Sequence, residues 1–194
     1  MRPRVTKTAW TPIATPPGAD RMTKRAHQKF KRKERDFYAT PESAVLPLLR
    51  FLPSLVRVDE PCAGEGDLIR HLERHGVNVI TSGDIKDGMD ALEIKSTPAD
   101  MFVTNPPWSR PVLHKLIDHL SKIAPTWMLL DADWMHTRQS APHMSRCRKI
   151  ISVGRVSWFG KNVGFDNCVW QLFDITRDAN EKIQFVGRQP KKEK

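Results

Sequence analysis

Residues 104–108 read Thr-Asn-Pro-Pro-Trp, a stretch well equipped to hold an amine. Two prolines fix φ and supply no backbone N–H, so the turn is stiff and its carbonyls point where the turn dictates. The Asn105 side-chain oxygen and the Pro106 carbonyl form a pair of acceptors with no competing donor from Pro106 or Pro107, and Trp108 adds a flat apolar face. An amino group on a planar ring suits that combination.

Alone, such a pentapeptide is a loop, and its neighbours decide what it does. The pattern becomes regular at Thr40, which can cap a helix with Pro41 at its first position and an apolar stripe of Val45, Leu46, Leu49 and Leu52. A strand over 56–60 stops at Pro61 and enters Cys62-Ala63-Gly64-Glu65-Gly66. A helix follows with Leu68, Ile69 and Leu72 inward and Gly76 as its stop. The next strand, 77–80, leads into Ser82-Gly83-Asp84, and a third, 101–104, delivers the chain into Asn105. Ser109 can cap a helix bearing Val112, Leu113, Leu116, Ile117, Leu120 and Ile123, and strands follow over 127–130, 150–156 and 168–173. Strands alternating with helices predict an α/β fold with a parallel sheet, its last two strands joined as a hairpin. Ligands of such a sheet bind at the carboxyl ends of its strands, so the loops 60–66, 83–90 and 105–108 converge.

The 194 residues suffice for one domain, and no internal repeat is present. Cys62, Cys147 and Cys168 have no metal-ligand spacing and cannot all pair, so a reducing, cytoplasmic setting without a metal is expected. No apolar run approaches the roughly 18 residues of a membrane span. The net charge of +10 is uneven. Residues 1–35 hold eleven basic side chains against Asp20 and Glu34, and 188–194 hold four against Glu193, leaving 36–187 slightly acidic as the single folded domain. Basic arms poor in apolar residues are expected to be disordered alone and to attract nucleic acid through counterion release. Between Asp133 and Asp166 there is no acid, whereas Arg138, Arg146, Arg148, Lys149, Arg155 and Lys161 all fall there. Together with Trp158, this segment is the expected landing place for a phosphate backbone.

Phe37-Tyr38-Ala39-Thr40-Pro41, Glu60-Pro-Cys-Ala-Gly-Glu-Gly66 and Asn105-Pro-Pro-Trp108, in that order, resemble the class I S-adenosylmethionine-dependent methyltransferases, and among them the small phage and prophage N6-adenine DNA methyltransferases. The resemblance covers roughly residues 37–175. It implies a Rossmann-like, mostly parallel seven-stranded sheet with helices on both faces and a C-terminal antiparallel hairpin. It also implies S-adenosylmethionine as cofactor. Tyr38, Thr40 and Pro41 would close over its methionine end, with Glu60 facing the methionine amino group. The loop of Pro61, Ala63, Gly64 and Gly66 would pass beneath methionine and ribose, where glycines permit close approach. Asp84, beside Ile85, would accept the ribose hydroxyls, Asp90 and Ala91 would meet the adenine, and Asn105 would touch both cofactor and acceptor.

The same resemblance assigns Asn105, Pro106, Pro107 and Trp108 to methyl transfer onto the N6 amino group of a flipped-out or single-stranded adenine. Arg138, Arg146, Arg148, Arg155, Trp158 and Lys161 would hold the nucleic acid, DNA before RNA. Related motifs occur in enzymes that methylate RNA bases or a protein glutamine, and a non-catalytic nucleic-acid-binding module is the remaining alternative. Larger DNA methyltransferases of this kind carry a recognition domain, whereas only 86 residues follow Trp108. Sequence preference would then come from short loops, the arms or a partner protein.

Overall fold

The computed structural model describes residues 38–159, 165–176, 178 and 181–188. The arm 1–35, Phe37, Lys161 and residues 189–194 lie outside the described residues. Helix α1 (Glu42–Leu49) opens the described chain. The expected Thr40 cap is not formed: Pro41 takes the N-cap position without a side-chain bond, and the Thr40 hydroxyl is engaged by Asn105 instead. The expected stripe is corrected too. Ala44, Val45 and Leu48 are buried, whereas Leu46 is 47% exposed.

Seven strands follow: β1 (Arg57–Glu60), β2 (Asn78–Ser82), β3 (Met101–Thr104), β4 (Thr126–Asp131), β5 (Cys147–Ser157), β6 (Phe165–Phe173) and β7 (Gln184–Val186). They form one sheet in the order β2-β1-β3-β4-β6-β5-β7. Only β6 runs antiparallel to its neighbours, β4 and β5; the other pairs are parallel. The mostly parallel sheet with a C-terminal hairpin is therefore as expected. The strands read from the sequence number six, and the seventh is β7, parallel to the edge of β5. The hairpin strands are also longer than their apolar cores suggest, pairing out to Ser157 and Phe165.

Alternation along the strands sends side chains to two faces. Val58, Val103, Trp127, Leu129, Ile151 and Trp170 meet α1 and helix α2 (Asp67–Arg74), including Leu68 and Leu72. Phe102, Met128, Leu130, Ile150 and Phe173 meet helix α3 (Arg110–Ile123) through Leu113, Leu116, Ile117 and Leu120. Val112, expected on that stripe, is 38% exposed. A short helix α4 (Ala141–Met144) lies within the segment expected to be a basic surface. Trp170 ties the two ends of the fold together: it is fully buried, and its indole N–H donates to the Ala44 carbonyl at 2.7 Å. Among the described residues no helix is long and apolar enough to cross a membrane.

Candidate active site

The carboxyl ends of β1, β2 and β3 lie together because these strands are adjacent and parallel. Glu60 ends β1 with its side chain fully buried. Its Oε1 accepts the Cys62 N–H at 3.0 Å, while Oε2 has no hydrogen-bond partner. Burial pushes this carboxyl up to about 8, against the pull of the Thr104 hydroxyl and the Cys62 N–H. The Thr104 hydroxyl, also buried, is near enough to act on that carboxyl but forms no hydrogen bond of normal geometry with it. Burial likewise pushes the Cys62 thiol up, with Glu60 adding to it, so Cys62 is not a thiolate nucleophile.

The glycine loop is locked to the end of β2. Gly83 N–H donates to Glu60 O at 3.0 Å and Ala63 N–H to Gly83 O at 2.9 Å. Gly64 and Gly66 sit at φ 54° and 77°, in the left-handed region where glycine is unstrained, and Gly66 is the N-cap of α2. Asp84, 9% exposed, accepts Gly64 N–H at 2.8 Å on Oδ2 and Lys86 N–H at 2.9 Å on Oδ1. Its carboxylate is thus fixed before any ligand arrives.

Asn105 follows β3, and its Nδ2 donates to Thr40 Oγ1 at 3.0 Å. Pro106 is buried beside it. Trp108 is pinned by its indole N–H, which donates to Leu129 O at 3.0 Å, and it meets Trp158 edge-on with ring centroids 5.5 Å apart. Tyr38 in turn packs on Trp158 at 5.9 Å and Phe159 at 5.4 Å.

A cleft of about 90 Å³ is lined by Tyr38, Thr40, Glu60, Ala63, Gly64, Asp84, Ile85, Asn105 and Pro107, all expected at the site. Pro41, Pro61, Gly66 and Pro106 shape its backbone without lining it. Asp90 and Ala91 are not among its lining residues: Asp90 Oδ1 caps a 3-10 turn by accepting the Leu92 N–H at 2.9 Å, and Ala91 is buried in the α3 core. The sequence reading missed Glu65 and Lys86, which also line the cleft and pair across it at 2.7 Å. They are 21 positions apart, and only the docking of the two loops brings them together. A second cavity, about 430 Å³, is lined by Trp108, Arg110, Asp131, Asp133, Trp134 and Thr137 among others. The Asn-Pro-Pro-Trp turn therefore contributes to both spaces, Asn105 and Pro107 to one and Trp108 to the other.

The expected basic surface is divided. Arg155 and Trp158 lie toward the carboxyl end of β5, with the cleft; Arg155 is exposed and stacks over the Phe165 ring at 4.8 Å, and Trp158 donates to Asp166 at 2.9 Å. Arg138 is exposed just beyond Thr137 of the second cavity. Arg146 and Arg148 are not brought to them. They stand at the amino end of β5, Arg148 roughly 23 Å from Arg155 at about 3.3 Å per residue. There Arg146 pairs with Asp118, and Arg148 pairs with Asp174 and Glu181. Among the described residues no group of His, Cys, Asp and Glu side chains could hold a metal ion.

No protein-family model matches the chain, and no curated protein does. Solved structures match its fold. A Listeria monocytogenes protein assigned as a class I S-adenosylmethionine-dependent methyltransferase superposes on 76% of this chain and 65% of its own, at 14% identity and a TM-score of 0.50. The aligned region thus spans just under two thirds of that protein. A Pyrococcus horikoshii protein assigned as an RNA methyltransferase aligns over 71% of this chain and 85% of its own (15% identity, TM-score 0.45). A Vibrio vulnificus modification subunit assigned to a type I restriction enzyme aligns over 73% and 45% (12% identity, TM-score 0.47). At these identities the likeness is one of fold alone: a mostly parallel, Rossmann-like α/β sheet.

Proposed function

We propose that the chain is an S-adenosylmethionine-dependent methyltransferase acting on the exocyclic N6 amino group of adenine in DNA. The observation that carries this reading is the placement of Asn105 on one cleft with Glu60 and Asp84. The cleft fits the cofactor on its own evidence. A buried carboxylate oxygen without a partner, Glu60 Oε2, suits a ligand ammonium group. Asp84, fixed by two backbone N–H groups, keeps lone pairs for a diol. Gly64, at positive φ, lines the cleft with no side chain to obstruct an approaching ligand. Tyr38, Thr40, Ile85 and Lys86 would complete that side. When bound, S-adenosylmethionine supplies an electrophilic methyl group on its sulfonium.

The chain's own residues then act on the acceptor. An aromatic amino group is a weak nucleophile because its lone pair is delocalised into the ring. The Asn105 Oδ1 and the Pro106 carbonyl accept its two N–H bonds, draw it toward tetrahedral geometry and stabilise the positive charge that grows during attack. Trp108, held by Leu129, offers its face to the base and keeps the amine in line. The proton leaves after transfer, so no separate base needs to be poised. A base within a duplex cannot enter, so the target is flipped out or single-stranded. Arg138, Arg155 and Trp158 would hold its strand, with the basic arm 1–35 adding phosphate contacts.

The test is transfer of tritiated methyl from S-adenosylmethionine to duplex DNA, single-stranded DNA and total RNA, with digestion and mass identification of the nucleoside. N6-methyladenine in DNA, abolished by Asn105→Ala with cofactor affinity retained, is the expected result. Label confined to RNA or to a protein glutamine replaces the acceptor, and absence of S-adenosylmethionine binding in calorimetry overturns the enzyme reading.

A further inference from the structure

The second cavity shares Trp108 with the acceptor motif, and Trp134 lines it as well. Trp134 sits in the 3-10 turn Ala132–His136 that leaves β4, and it is only 5% exposed. Its one polar atom, the indole N–H, donates to His114 Nε2 on α3 at 3.1 Å. A buried donor left without an acceptor is costly, so this bond helps to hold the ring, which also packs on His143 and Phe173. An imidazole nitrogen accepts only without its proton. The bond therefore exists in the neutral tautomer of His114 with its proton on Nδ1, and a protonated Nε2 turns acceptor into donor against donor.

The groups facing His114 come from each element around it. Its ring stacks on His143 of α4, with centroids 4.6 Å apart and planes 33° off parallel. Arg110 lies one turn before it on α3 and Asp118 one turn after. Asp118 is shared by His143 Nδ1, at 3.0 Å, and by Arg146, just ahead of β5. Burial first, then His143 and Arg110, hold His114 below the ordinary imidazole value, with Asp118 opposing.

Resting on the methyltransferase reading, we propose that His114 is the positioning residue of the acceptor side: its neutral imidazole holds the Trp134 indole in the wall of the cavity that receives the base. Protonation of His114 frees that ring and loosens the cavity.

The test is the affinity of the full chain for hexadeoxyadenylate between pH 7.5 and 5.0, with far-UV circular dichroism over the same range to follow the fold. General electrostatics alone tighten nucleic-acid binding as histidines become charged, so the opposite sign is diagnostic. Affinity should fall about tenfold, about 1.4 kcal/mol, in the wild type and stay level or rise in His114→Gln, whose amide oxygen can accept the same indole N–H and does not titrate. Trp134→Phe, which lacks the donor, should bind weakly at both pH values. Wild-type binding that tightens on acidification, or a His114→Gln variant that weakens in parallel with it, overturns the proposal. Because binding is read without turnover, a chain that binds as described yet transfers no methyl group refutes the proposed function and leaves His114's role standing.

Discussion

Asn105 Nδ2 donates to Thr40 Oγ1 at 3.0 Å across 65 positions of sequence, and that bond decides which end of the amide faces the cleft. With nitrogen committed to Thr40, the oxygen is the atom left for a ligand. Thr40 is 5% exposed, so its hydroxyl is shielded from bulk solvent. Thr40→Val, nearly the same shape without an acceptor, should lower kcat at least tenfold, about 1.4 kcal/mol in the barrier. Thr40→Ser should restore most of it, and equal kcat in the Val and Ser variants would contradict the orienting role.

Glu60 makes the unliganded protein sensitive to alkali. Its carboxyl is raised from 4.5 to about 8 by burial, so between those values the native state holds a proton that the unfolded chain has lost. Stability then falls as pH rises through that window. Melting temperature should decline from pH 5 to pH 9 in the wild type and flatten in Glu60→Gln. At pH 7, S-adenosylmethionine binding should release part of a proton, seen as a dependence of calorimetric heat on buffer ionisation enthalpy, and Glu60→Gln should lose that dependence.

Asp84 accepts two backbone N–H groups with two oxygens. Asp84→Asn turns an NH₂ toward one of them. The expected cost is about 1–3 kcal/mol of stability, with S-adenosylmethionine affinity reduced at least tenfold in the same calorimetric titration. Unchanged affinity would remove Asp84 from the ligand side of the cleft.

The two ends of β5 should behave differently. Arg155→Ala, at the cleft end, should weaken nucleic-acid binding and reduce its salt slope by about 1. Arg148→Ala removes the partner of Asp174, a buried carboxylate, and should lower the melting temperature while leaving the salt slope unchanged. A loss of slope in Arg148→Ala would place the nucleic acid on the wrong end of the sheet.

The convergence of the loops was legible in the sequence because they sit at strand ends, which short apolar runs and glycine mark directly. The assumption of a parallel sheet brought the loops 60–66, 83–90 and 105–108 together, and the resemblance singled out Glu60, Gly64, Asp84 and Asn105 within them. What escaped depends on juxtaposition. The basic residues 146–155 look like one patch in sequence, yet β5 spans about 36 Å at 3.3 Å per residue, so neighbours in the sequence stand toward opposite ends of the strand. The Leu46 and Leu48 exchange has a local cause: α1 has 8 residues and contains Pro47, too few turns for a stripe to define itself. β7 has three residues with Phe185 66% exposed, so no alternation announces it.

The Trp170–Ala44 hydrogen bond has a consequence for the order in which the chain can fold. β6 enters between β4 and β5, although it is made after both, and the helix that precedes the whole sheet rests on an indole 126 residues downstream. Closing contacts of such separation is slow relative to local ones. On the ribosome, then, β4 and β5 emerge without their shared neighbour, and α1 without its anchor, until Phe165–Phe173 has left the exit tunnel. Nested C-terminal truncations should therefore show no gradual loss of structure: those ending before residue 165 should be aggregation-prone, and cooperative folding should begin only once Phe173 is included.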